Sequence, residues 1–336
     1  MNGNYGGSSH TMSYTRNDSA FVVLQNCLQN TLDIYNIEQP KWVRSMDLSF
    51  MNSLCGKQTS CFYGSDTLLC ITSGSILFST FENDFQTLSI LNDNESMKGK
   101  RFITTESFDT YEEIHLTRDS ILLFPVYYGN YKKRCNQPIT ATYNLRNGEI
   151  GFADINYPNV LCGTDYGLLD RIEHYYFDET ILYAFHALPE IWKYNIQTST
   201  LQRYNCKSTF HTDSILPITF KRTPKNKDLL FDHFMHSARY ERLVYDKYKK
   251  CYYRFFVLQM SHKNEQGLFN TYKDRRMSLM VLDENFNLIG ETLLPKNCLA
   301  IFFAVASKQG LFVNNGPLTK AKENGWNILK INFTVH

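Results

Sequence analysis

Short stretches of alternating apolar and polar residues run through this chain, each ended by a tight turn. Successive side chains of a strand point to opposite faces of a sheet, so alternation with period two predicts half-buried strands. One unit recurs: an alternating strand, a turn usually holding an Asp, then a second, more apolar strand. It reads MSYTRNDSAFVVLQ from Met12, CFYGSDTLLCIT from Cys61 and IHLTRDSILLFPV from Ile114. It returns as EHYYFDETILYAF from Glu173, RLVYDKYKKCYYRFF from Arg242 and FFAVASKQGLFV from Phe302.

A third strand follows most hairpins, as in TLDIYNI at Thr31, PITATYNL at Pro138, EIWKYNI at Glu190, RMSLMVLD at Arg276 and WNILKINF at Trp326. A fourth comes after another short turn: KWVRSMDL, EIGFADI, TLQRYNC and NLIGETLL. The second copy is less regular, with SILFSTF and FQTLSIL in these places. Short antiparallel strands in repeated groups of four are the plan of propeller blades. The pattern therefore predicts an all-β, six-bladed β-propeller of four-stranded antiparallel blades. One domain would span residues 11–336, with residues 1–10 a flexible N-terminal segment. The last copy stops after its third strand, at His336, and residues 1–10 are a poor strand sequence, so the expectation is that either the sixth blade has three strands or the chain as given lacks preceding residues that would supply the fourth. A β-sandwich would lack the repeat, and a barrel of alternating strands and helices would need long amphipathic stretches. No helix longer than a turn or two is predicted.

The turns carry Asp18, Asp66, Asp119, Asp178 and Asp246, and the last copy has Gln309-Gly310 instead. Asp accepts hydrogen bonds from the backbone amides that follow it and tolerates turn conformations, which suits these sites better than catalysis does. All the long segments fall between blades or between second and third strands: 92–113, 128–137, 156–171, 207–239, 261–275 and 314–325. In a four-stranded meander those connections share one face, and insertions gathered on one face of a repeat protein mark a binding face.

Composition changes this picture little. Hydrophobic residues make up 43% and aromatics 15%, which supports a packed, strand-rich core. The net charge of +2 argues against the strongly basic field of a nucleic-acid binder. The apolar run from Leu299 to Ala306 is far too short to span a bilayer, and residues 1–10 carry no export signal as written. The 9 cysteines form no Cys-x-x-Cys pair, so they read as buried free thiols, with Cys61 and Cys70 the one candidate cross-strand pair.

Candidate chemistry gathers on the long connections. The ligand-binding candidates are Tyr131, Lys132, Lys133 and Arg134 in one, His211, His233, His236 and Arg239 in another, and Arg275 in a third. With Lys221, Arg222, Lys225 and Lys227 they make the expected binding face mildly basic, suited to an acidic protein, a peptide or an anionic glycan. His233-x-x-His236 offers two imidazoles, but no third ligand has recognisable metal spacing. The segment Asp283-Glu284-Asn285-Phe286-Asn287 opens like a calcium loop but lacks its Gly and closing Glu, so turn chemistry is expected there. No nucleophile elbow, phosphate loop or zinc-protease motif is present. No metal, cofactor or catalytic residue is therefore expected.

The stretch from Tyr240 to Phe256, with Tyr245, Asp246, Tyr252, Tyr253 and Arg254, resembles a motif of uncharacterised Bacteroidetes six-bladed, TolB-like propellers. The resemblance implies a lipoprotein exported to the periplasm or outer membrane, with no established activity. On β alternation, Tyr252 and Arg254 share one face and Tyr253 takes the other, with Arg254 expected to pair with an acidic neighbour. The expected function is a monomeric, non-enzymatic binding or scaffolding propeller of the cell envelope. The alternative is a hydrolase or lyase, which would need His211, His233 or His236 to converge with a carboxylate.

Overall fold

A computed structural model describes residues 11–16, 18–26, 29, 31–39, 41–47, 59–63, 67–71, 75–80, 83–90, 101–102, 114–127, 134–177, 179–211, 215–271, 274–296, 298, 303–314 and 328–333. The strands follow the alternation. The first sheet is β1 (Thr11–Arg16), β2 (Ser19–Asn26), β3 (Thr31–Asn36) and β4 (Lys41–Asp47), paired in chain order. The second is β5 (Thr59–Tyr63), β6 (Thr67–Ile71), β7 (Ser75–Thr80) and β8 (Asn83–Ile90), with two register shifts between β7 and β8 where the sequence is least regular. Its register sets Cys70 opposite Ser60 and Cys61 opposite Leu69, so the two cysteines are not directly paired.

The third sheet joins β10 (His115–Leu116), β11 (Ile121–Tyr127), β12 (Thr140–Asn144) and β13 (Ile150–Phe152), and β9 (Arg101–Phe102) adds to β11. Two more meanders follow: β14 (Ile172–Phe177) to β15 (Thr180–Phe185), β16 (Glu190–Asn195) and β17 (Thr200–Asn205), then β18 (Arg239–Asp246) to β19 (Cys251–Val257), β20 (Met277–Asp283) and β21 (Leu288–Leu293). Finally β22 (Ala304–Ser307), β23 (Gly310–Asn314) and β24 (Ile328–Ile331) make a three-stranded sheet.

This is a β-propeller fold of antiparallel, four-stranded blades with almost no helix. The expectation of six such blades needs correction, because the four-strand plan is complete five times and not six. β24 pairs with β23, and no described strand lies on its other side; residues 1–10 are outside the described residues.

The chain divides into two compact units, and the division runs across the β14–β17 sheet. One comprises Met1–Gly163, His174–Leu182 and Lys193–Leu201; the other comprises Thr164–Glu173, Tyr183–Trp192 and Gln202–His336. In the first, Ile114, Leu122, Phe124, Val126, Ala141 and Tyr143 form a buried cluster. In the second, alternate residues of β19 and β20 (Tyr253, Phe255, Val257 and Met277, Leu279, Val281) pack with Ala304, Ala306, Leu311 and Val313 from β22 and β23.

The Asp turns behave as their chemistry requires. Asp246 is buried and accepts the amides of Tyr248 and Lys249, as well as the Tyr253 hydroxyl. Asp18 itself takes the left-handed conformation (φ 61°), and in the next described turn Ser120 does so after Asp119 (φ 65°). Asp66 and Asp178 lie outside the described residues. Asp283 holds the β20–β21 turn by accepting the amides of Asn285 and Asn287 and the Asn287 side-chain amide, as expected of turn chemistry. Its slight burial favours protonation, yet these bonds hold the carboxyl below its ordinary range.

One expectation fails in the connection 207–239, which carries a helix, α1 (Lys227–His236), of 10 residues. Only Leu230 and Phe234, one turn apart, are buried, so its apolar stripe is too thin to stand out in sequence.

Candidate functional site

The second unit concentrates the candidate residues, and buried arginines organise it. Arg254 shares one face of β19 with Phe256, where both meet Tyr240, while Tyr253 joins the apolar cluster on the other face, as alternation requires. Its guanidinium bonds backbone carbonyls. Arg254 donates to the carbonyls of Phe185 and Leu188 at 3.0 Å and to that of Pro189, and its guanidinium lies 4.1 Å from the centre of the Tyr240 ring. A planar fork of donors suits a bend of the chain whose carbonyls converge.

Beside it, β18 bulges between Glu241 and Leu243, and Arg242 adopts φ 43°. The amides displaced from the ladder are taken by buried Glu173, which accepts from Arg242 N at 2.9 Å and Leu243 N at 3.2 Å. The same carboxylate lies 3.0 Å from His186 Nε2.

The connection 207–239 is anchored at both ends. At its start, Glu291 of β21 accepts the hydroxyls of Ser208 and Thr209 and the Thr209 amide. His211 Nδ1 is 2.7 Å from the Tyr240 hydroxyl, and its ring stacks on Phe256. Burial pushes the Tyr240 phenol up to about 12, so it stays protonated. In the middle, Arg222 pairs with Asp165 and Asp170 and donates to the Gly167 carbonyl. Gly167 has φ +65°, and a Cβ there would come within 3.0 Å of Ile218 and 3.3 Å of Leu230, so this close approach under α1 requires glycine. At the end, Arg239 donates to the Phe234 carbonyl and to Glu241, and Arg275 donates to the Met235 carbonyl. Both guanidiniums also lie over the Phe234 ring.

The nominated residues therefore separate. Arg239 and Arg275 are buried and clamp the C-terminal turn of α1. In the first unit, Arg134 is buried too, donating to the Leu161 carbonyl and lying over Tyr157. Tyr131, Lys132 and Lys133 lie outside the described residues. The three histidines have different partners. His211 meets Tyr240, His233 Nε2 meets the Leu216 carbonyl at 3.0 Å, and His236 Nδ1 meets the Met260 carbonyl at 3.1 Å. Burial lowers the pKa of His233 below the ordinary 6.5 and keeps it neutral.

His236 has further neighbours that the sequence did not suggest. Its Nε2 is 3.5 Å from Asp232 Oδ1, one helical turn back, and His262 Nδ1 lies 3.5 Å from the same oxygen. The two rings are 4.0 Å apart between centres. Asp232 and His236 have the i, i+4 spacing, but His262 is remote in sequence and no pattern announces it.

The surface of these connections is apolar and basic. Leu216, Leu229, Phe231, Leu268 and Phe269 are exposed, the last two at 66% and 75%. Among the described residues, exposed Lys207, Lys221, Lys225, Lys227, Lys263 and Arg276 outnumber the exposed acids Asp228, Asp232 and Glu265.

Among solved structures, a crystal structure of a DUF4221 family member from Bacteroides vulgatus is similar over 98% of this chain and 94% of its own, with TM-score 0.69 and 16% identity. A calcium-binding protein, regucalcin, from Agrobacterium tumefaciens is similar over 95% of this chain and 88% of its own, at TM-score 0.45 and 10% identity. The first likeness shows the fold, and the second carries no argument. No curated protein sequence matches the chain. Residues 6–293 match the family described as a domain of unknown function (DUF4221), and the chain belongs to that family.

Proposed function

We propose that the chain is a non-enzymatic binding propeller of the bacterial cell envelope that receives an acidic protein or peptide segment on its 207–239 and 261–276 connections. One observation carries this reading: exposed apolar side chains sit on connections that are clamped rather than slack. Leu216, Leu229, Phe231, Leu268 and Phe269 are exposed, yet α1 is fixed by Arg239 and Arg275 and the preceding segment by Arg222. A surface held in one conformation loses less entropy on binding, and aromatic and aliphatic anchors are what an interface core uses. The surrounding lysines favour an acidic partner and speed its approach. The envelope location and a lipid anchor rest on the resemblance of the 240–256 segment to exported propellers.

Photo-crosslinking in the native cell tests this. A photoreactive phenylalanine analogue replacing Phe269 should give one discrete adduct, and the same analogue replacing exposed Val160 in the first unit should not. The paired charge reversals Lys225→Glu and Lys263→Glu should weaken that adduct several-fold without changing the melting temperature. Identical adduct patterns from positions 269 and 160 would sink the docking surface. Recovery of the protein in the cytoplasmic fraction would sink the envelope reading.

A further inference from the structure

Asp232, His236 and His262 face one another in a way that calls for a cation. His236 Nδ1 lies 3.1 Å from the Met260 carbonyl, which can only accept, so the ring proton sits on Nδ1. In the neutral ring Nε2 is then a bare lone pair, and it faces Asp232 Oδ1, another acceptor, at 3.5 Å. His262 Nδ1 faces the same oxygen at the same distance. A proton shared with a carboxylate would draw the nitrogen to about 2.7–2.9 Å. Two nitrogens at 3.5 Å from one oxygen instead match the ligand-to-ligand edge of a tetrahedral ion, about 3.3–3.5 Å for bonds of about 2.0–2.2 Å.

All three ligand atoms lie within 4.8 Å of one another. The surrounding bonds are those of a supported metal site. The carbonyl on Nδ1 fixes the tautomer and the ring plane of His236. The Met260 amide returns a bond to the His236 carbonyl at 3.0 Å, tying the end of α1 to the segment that leads to His262. The His262 carbonyl in turn accepts the Asn270 amide at 2.9 Å. His236 is 15% exposed, Asp232 49% and His262 63%, so the outward side is open to solvent.

We infer that Asp232, His236 and His262 form a mononuclear site for a divalent transition ion, zinc foremost, with a coordination position open to water or to a ligand. Two imidazoles and a carboxylate select zinc and its neighbours over calcium or magnesium, which take oxygen ligands. The site differs from the sequence expectation of no metal, and it does not depend on the docking surface.

The test uses the untagged full chain, stripped with a chelator and titrated with zinc chloride by calorimetry, with the melting temperature followed in parallel. Wild type should bind zinc and melt at higher temperature with it. His262→Ala, a change at an exposed side chain, should keep the metal-free melting temperature while weakening zinc affinity about 100-fold and abolishing the thermal gain. Cobalt substitution should give a tetrahedral ligand-field spectrum without a thiolate charge-transfer band, which separates this site from the cysteines. Equal zinc affinity in wild type and His262→Ala, a thiolate band, or calcium acting as well as zinc would each overturn the assignment.

Discussion

At the scale of single residues, the second unit uses buried arginines to satisfy backbone carbonyls, alone or together with an acid. Arg254 is the plainest case, since its guanidinium closes a bend by bonding the carbonyls of residues 185, 188 and 189. Removing it leaves buried acceptors without donors, which costs far more than the bonds contribute on balance. Arg254→Met should lower unfolding stability in urea by about 3 kcal/mol or more. Arg254→Lys should recover little of that loss, because one ammonium cannot address several carbonyls in a plane. A full rescue by lysine would mean that charge alone matters here. Cysteine reactivity is set at the same scale. Burial, and then Cys135 beside it, push the Cys162 thiol up to about 11 from 9.0, so its thiolate fraction near neutral pH falls about 100-fold. Iodoacetamide labelling of Cys162, read by peptide mass spectrometry, should be slow at pH 7 and climb steadily toward pH 11. Rapid labelling at pH 7 would contradict this environment.

At the scale of elements, each hairpin solves the same turn problem with different residues. Asp246 does it with its side chain, whereas the β22–β23 turn does it with backbone freedom. Gly310 has φ +131°, and a Cβ there would meet the Ile331 carbonyl oxygen of β24 at 2.8 Å. Gly310→Ala should therefore destabilise by at least about 1–2 kcal/mol, through the disfavoured backbone and the displaced β24 together. Thermal melts of the two proteins decide it, and an unchanged melting temperature would show that β24 yields without cost. The same scale explains what was readable beforehand. Strand positions such as TLDIYNI and RMSLMVLD were legible because a strand's alternation is local. Helix α1 was not, because Leu230 and Phe234 alone are buried and its position is fixed by Arg239, Arg275 and Gly167 from elsewhere in the chain.

At the scale of the whole molecule, the repeat made the propeller class legible but not its count of complete blades. Hairpins announce themselves by pattern, whereas a fourth strand is an edge element whose presence depends on what remains to pair with it. The candidate site was legible only in outline. The connection 207–239 stands out by length, but arginine looks the same in sequence whether it is exposed or buried, so no pattern marks Arg134, Arg239 and Arg275 as buried. His262 joins Asp232 and His236 across 30 or fewer residues of chain, with two strands between, and no spacing rule covers such a join.

The dependence of residues 185–190 on Arg254 also sets an order of events during synthesis. The carbonyls of this bend leave the ribosome about 65 residues before the guanidinium that satisfies them. At about 5–20 residues per second, that is a delay of roughly 3–13 s. During it, the Phe185 and Leu188 carbonyls wait for the guanidinium that will bond them. A nascent chain stalled between residues 195 and 250 should thus be the stage most in need of a chaperone.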